Sequence, residues 1–129
     1  MNKPHNPTTV APPIGTYSHG IETPPGARWL HVAGEVGMAA DGTVSKGFEV
    51  QAEQAWRNVV AVLAAAGMGV EHLVHVNHWL VDQGHFEAYA KVRAKFLGDA
   101  RPASTLMIVK ALAKPEFLVE VGGVAAKVD

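Results

Sequence analysis

FEVQAEQAWRNVVAVLAAAG (residues 48–67) followed by LVHVNHWLV (residues 73–81) decides the fold. In the first segment Ala52, Trp56, Val59, Leu63 and Ala66 recur at the three- and four-residue spacing of one helical face. Glu49, Glu53 and Arg57 form a solvent-facing row, with a favourable Glu-to-Arg pair at i, i+4. Gly67 stands where a left-handed C-terminal cap belongs. The second segment is rich in β-branched and aromatic residues and reads as a strand. A helix that returns directly into a strand requires a sheet for its apolar face to cover.

Working outward, Asp82 is placed to cap a second helix carrying Phe86, Tyr89, Phe96 and Leu97 on its buried side, and Gly98 stops it. Ala103 to Leu112 and Phe117 to Ala126 read as two further strands, joined by a hairpin loop at residues 113–116. Upstream, Trp29 to Val36 reads as a strand. Strict alternation puts Leu30, Val32, Gly34 and Val36 on one face and His31, Ala33 and Glu35 on the other. Thr23-Pro24-Pro25-Gly26 and Asp41-Gly42 are turns, and Ile14 to Glu22 is a short extended segment. Residues 1–13 read as a loose arm, because Pro4, Pro7, Pro12 and Pro13 block regular hydrogen bonding. The expected architecture is α+β: a single sheet backed by two helices, in one domain spanning residues 1–129. One layer of helices leaves the other face of the sheet bare, so oligomerisation is expected to cover it.

Composition narrows the function classes. The chain has 129 residues, 48% hydrophobic and 18% charged, enough apolar content for a real core. Its net charge of −1, with basic and acidic residues well mixed, gives no nucleic-acid footprint. There is no cysteine, hence no disulfide, thiolate nucleophile or Cys-based zinc site, which fits a reducing cytoplasm. No apolar run approaches the roughly 20 residues of a membrane span, and the Pro- and Thr-rich N-terminus does not read as a signal peptide.

Four groups of residues invite chemistry. His72, His75 and His78 suggest a metal, yet on a strand the middle one points away from its neighbours, so no metal is expected. Ser18, Ser45 and Ser104 lack the Gly-x-Ser-x-Gly context of an exposed nucleophile. Glu120 interrupts an otherwise apolar strand; it either faces water or must find donors to offset desolvation. Tyr17, after Ile14-Gly15-Thr16, can offer its hydroxyl to a cleft or act as a packing residue.

The stretches Ala11-Pro-Pro-Ile-Gly-Thr-Tyr-Ser-His, His31-Val-Ala-Gly-Glu, Ala52 to Gly67 with Asn58 inside it, Trp79-Leu-Val-Asp, Arg101-Pro-Ala-Ser-Thr and Leu118-Val-Glu-Val together resemble the RidA/YjgF family of reactive intermediate deaminases. The resemblance runs from about Ala11 to Ala126. It implies a chorismate-mutase-like fold, a homotrimer with clefts between subunits, and hydrolysis of enamines and imines to a carbonyl compound and ammonia without a cofactor. By the same resemblance Glu120 is the catalytic carboxylate that activates water, and Tyr17 matches the family's tyrosine, expected to orient substrate or water, although the proline before it is Thr16 here. Gly34 matches the glycine of the family's Ser-Gly-Gln turn, whose other members are Ala33 and Glu35 here.

One departure matters. Where the family carries a carboxylate-gripping Arg in Pro-Ala-Arg-Ser, this chain reads Pro102-Ala103-Ser104-Thr105. A serine hydroxyl does not neutralise a carboxylate. Ser104 and Thr105 are expected to contribute neutral hydrogen bonds to the substrate, and Arg101 is the nearest cation. The expected function is a deaminase-type hydrolase with altered selectivity. The alternative is a trimeric module that binds small metabolites without catalysis.

Overall fold

The computed structural model describes all 129 residues. Its elements run β1 (Lys3–His5), β2 (Gly20–Glu22), β3 (Arg28–Val36), α1 (Phe48–Ala65), β4 (Leu73–Leu80), α2 (Phe86–Leu97), β5 (Ala103–Ile108) and β6 (Val119–Lys127). Four strands form the main sheet in the order β3-β6-β4-β5, with both helices on one face, so the fold is α+β. The α1 stripe is buried as its spacing predicts, from Phe48 through Ala52, Ala55, Trp56 and Val59 to Leu63. Gly67 adopts a positive φ of 69°, the left-handed conformation that ends the helix. The i, i+4 pair forms too: Arg57 Nη2 donates to Glu53 at 3.0 Å, and Lys95 from α2 donates to the same carboxylate at 3.0 Å.

Four expectations are corrected. The arm is not wholly loose, since Lys3–His5 pair antiparallel with Gly20–Glu22, and Asn2 donates to the carbonyls of His72 and Ala126. Pro4 is tolerated because this ribbon has only two strands, so each has an edge that needs no N–H donor. Next, β5 and β6 form no hairpin. β5 pairs parallel with β4 across the α2 crossover, ends at Ile108, and lies at the sheet edge. The chain then crosses back, so that β6 enters between β3 and β4, antiparallel to both. Gln51, buried on α1, fastens this crossing: its amide donates to the carbonyls of Ser45 and Glu116 and accepts from Leu118 N–H. Third, Asp82 caps a short 3₁₀ turn (Gln83–His85) rather than α2 itself, and Phe86, the first residue of α2, is 42% exposed.

Fourth, the alternation of β3 inverts midway. Val32 pairs with Gly123 and Glu35 with Val121, so Ala33 and Gly34 together oppose Gly122. This β-bulge shifts every later residue to the other face. Val36 therefore shares a face with Glu120, while Glu35 shares the helix side with Val121.

Between sheet and helices lies one polar chain in an otherwise apolar core. Trp56 Nε1 donates to the Tyr89 hydroxyl at 3.2 Å, Tyr89 bonds His78 Nδ1, and His78 Nε2 lies 2.9 Å from Ser104 Oγ. Trp56 is donor-only, so Tyr89 uses its single proton toward Nδ1, and Nε2–H donates to Ser104. Only this direction satisfies each buried group in turn.

Burial, reinforced by the charge of Arg93 and then His75, pushes the His78 pKa down from 6.5 to about 3. The folded chain thus excludes a proton that the unfolded chain accepts, and stability falls as pH drops through 6.5 toward 3. The slope is about 1.4 kcal/mol per pH unit. Urea unfolding from pH 7 to pH 5 is expected to cost the parent about 2 kcal/mol more than it costs His78→Asn. Parallel pH dependences would contradict a buried neutral imidazole.

Candidate functional site

On β6, Val119, Val121 and Ala125 turn toward the helices, which leaves Glu120, Gly122 and Val124 on the open face of the sheet. The strand registers set the rows of that face. Val36, Glu120, Trp79 and Met107 lie side by side across β3, β6, β4 and β5; Gly122, Asn77 and Thr105 form the next row.

Glu120 and Gly34 are brought together by the bulge. The carboxylate of Glu120 lies over the Cα of Gly34, where a Cβ would stand 2.7 Å from Glu120 Cδ. Any residue with a side chain at position 34 would displace the carboxylate. Gly122 is also closely approached, since a Cβ there would meet the Ala33 carbonyl and the Gly34 backbone at 3.1 Å. Glu120 is half-buried, and its carboxylate makes no hydrogen bond or ion pair within the chain. Thr105 occupies the neighbouring row, where its Oγ1 lies 3.2 Å from His75 Nε2; the same nitrogen lies 3.2 Å from Asn77 Oδ1.

The other expected site residues lie elsewhere in the chain. Ser104 points to the helix side, where its hydroxyl is engaged by His78, so it does not share a face with Glu120. The cause is strand alternation: with Thr105 on the open face, Ser104 must be on the other. Arg101 bonds the carbonyls of Gly98 and Ala100, both at 2.8 Å, and so caps the end of α2. It also borders a cavity of about 620 Å³ with Asn2, Ser18, His72 and Lys127, which does not include Glu120. Within that cavity Asn2, His72, Arg101 and Lys127 are each tied to backbone groups.

Tyr17 is held at the start of β5. Ser18 N–H donates to Pro102 O at 3.1 Å and Ser18 Oγ to Arg101 O at 2.6 Å, while the Tyr17 hydroxyl accepts from Ile14 N–H at 3.3 Å. Glu120 stands in the row of Met107, four residues along β5 from Ala103, a distance of about 13 Å. Tyr17 and Glu120 of one chain therefore do not meet. The three histidines also diverge: His72 accepts from Gly69 N–H, His75 faces the open side, and His78 is buried under the helices.

From sequence Arg93, like Arg57, is a cation on a helix that nothing brings to a cleft. It is 8% exposed on the buried stripe of α2, its guanidinium 5.9 Å from the centre of the Tyr89 ring. Its Nε has no partner and it forms no ion pair. The signal was present: a charged residue four positions after Tyr89 and four before Leu97, on a helix whose apolar stripe runs through both.

Comparison with known proteins agrees with this architecture. Residues 8–127 match the family described as endoribonuclease L-PSP. A RutC family protein of Pyrococcus horikoshii is 31% identical over 117 residues, covering 89% of this chain and 90% of that one. The crystal structure of YyfB, a Rid family protein of unknown function from Yersinia pestis, superposes with a TM-score of 0.88 at 30% identity, covering 98% of both chains. RidA from the Antarctic bacterium Psychrobacter sp. gives a TM-score of 0.72 at 28% identity, covering 88% of this chain and 89% of that one. With nearly its whole length matched in sequence and in fold, the chain belongs to the RidA/YjgF family.

Proposed function

We propose that this protein hydrolyses imines and enamines to carbonyl compounds and ammonia, with Glu120 as the base. The observation that carries the reading is the Glu120 carboxylate lying unpartnered over Gly34 on the open face of the sheet. An unpaired, half-buried carboxylate is free to hold a water and take its proton. The resulting hydroxide adds to the imine carbon, and the imine nitrogen takes up a proton. Glu120 then returns its proton to the carbinolamine nitrogen; the C–N bond breaks, ammonia leaves, and the hydroxyl proton passes to solvent, replacing the one the imine nitrogen took from solvent. Water and the imine are the only reactants consumed. An enamine enters after protonation at carbon, which converts it to the iminium form.

The open face also bears on assembly. On that face Trp29 is 55% exposed and Met107 36%, an apolar surface that a second copy would cover. Three copies closing around these faces would bring the Tyr17 loop of one chain to the Glu120 of its neighbour, which no single chain achieves. The family description names RNA cleavage, but a net charge of −1 offers no basic groove for a phosphate backbone.

The test is an imine-decay assay. An amino-acid oxidase generates imines in situ, and semicarbazide trapping reports their lifetime. The parent is expected to shorten it, and Glu120→Gln to lose at least about 100-fold in kcat/KM while remaining folded. Ligand binding without acceleration of any imine would instead identify the non-catalytic metabolite-binding module. Light scattering is expected to give three times the mass of the chain, and a monomer at micromolar concentration would refute the shared cleft.

A further inference from the structure

Arg93 is the one buried cation of the chain, and it lacks an anionic partner. Its surroundings give it no hydrogen-bond acceptor: the Tyr89 ring lies beneath it, and Nε–H is sealed from solvent without a partner. Nη2 lies under Gly15, where a Cβ would stand 3.3 Å away. Gly15 is exposed, so the guanidinium is separated from solvent there by a residue with no side chain. Nε–H and Nη2–H form one edge of the guanidinium, two parallel donors whose spacing fits the two oxygens of a carboxylate. Thr16, next on the same loop, also carries a buried hydroxyl with no partner. The loop is anchored at Ser18, but its tip is tied only to itself, by Tyr17 N–H to Gly15 O and Ile14 N–H to the Tyr17 hydroxyl. It can therefore yield without breaking a hydrogen bond to the rest of the chain.

We propose that the free edge of Arg93, with the Thr16 hydroxyl, is a carboxylate-binding site under the Gly15–Tyr17 loop, and that it holds the carboxylate of the substrate. This rests on the imine-hydrolase reading for the identity of the ligand. It moves the positive charge that strand β5 lacks at Ser104 onto helix α2. The substrates are then imines of α-amino acids, and the products 2-oxo acids. A buried unpaired charge is costly to the fold and is relieved when an anion arrives, which explains an arginine on an apolar stripe.

Isothermal titration with pyruvate, pyruvamide and inorganic phosphate tests this, using the parent, Arg93→Met and Thr16→Val. Pyruvate is expected to bind the parent, and Arg93→Met to weaken it about 10- to 100-fold. Pyruvamide should bind poorly to both. Arg93→Met should keep or raise the Tm, whereas a merely structural arginine would lower it. In the imine assay Arg93→Met should raise KM for carboxylate-bearing imines at least about 10-fold more than for neutral ones. Pyruvate binding that is absent from the parent, or undiminished in Arg93→Met, would overturn the proposal. So would phosphate binding as tight as pyruvate binding, which marks a general anion site. Arg93-dependent pyruvate binding in a protein that accelerates no imine would remove the hydrolase reading and leave the carboxylate site standing.

Discussion

The closeness with which β6 runs between β3 and β4 governs this structure. Gly123 leaves no room for a side chain against the His75 carbonyl of β4, and Gly122 leaves little against the Ala33–Gly34 backbone of β3. Each neighbouring strand has an irregularity nearby, opposite Gly122 between Val32 and Glu35 on β3, and opposite Val124–Ala125 between Leu73 and His75 on β4. A bulge in a strand lengthens it by one residue and turns the chain that follows. Here it lays the Gly34 backbone beside the Glu120 carboxylate. The carboxylate lies on the open face because β6 alternates strictly, and it is unpaired because its cross-strand neighbours, Val36 and Trp79, bear no charge.

Below the sheet the same alternation turns Ser104 toward the helix side, where its hydroxyl accepts from His78 at the end of the Trp56–Tyr89–His78 chain. The two faces of one sheet thus have different tasks. The helix side holds a neutral polar network that specifies how α1, α2 and β4 pack. The open side keeps its polar groups, Glu120, Thr105, Asn77 and His75, where a ligand or another copy can reach them.

Much of this was legible in the residues, for identifiable reasons. The stripe of α1 and the cap at Gly67 are local, and local periodicity survives folding. Glu120 was conspicuous because a carboxylate in an apolar strand demands a reason. The placement of β6 was not legible, because strands 103–108 and 119–127 are close in sequence and each would pair acceptably with the other. What decides against a hairpin is the α2 crossover, which lays β5 parallel to β4, and the Gln51 clasp on the returning chain; both are long-range. The face of Glu35 was misjudged because a bulge has no signature in simple alternation. Ser104 was assigned to the site from its motif, and only the strand register reveals that Thr105 is the neighbour that shares the face of Glu120. Arg93 was legible only as a helical cation with nothing to bring it to a cleft, because a charged residue on a helix is ordinarily solvated.

In the proposed mechanism, function depends on the Glu120 carboxylate resting where position 34 has no side chain. Gly34→Ala addresses that directly. The added methyl meets the mobile end of Glu120 first, so the fold should survive while the carboxylate moves. Imine turnover by a folded Gly34→Ala protein is predicted to fall at least about 100-fold, as expected when a general base is displaced from its water. Turnover equal to the parent's would contradict the account, because the carboxylate would then act from some position other than the one above Gly34.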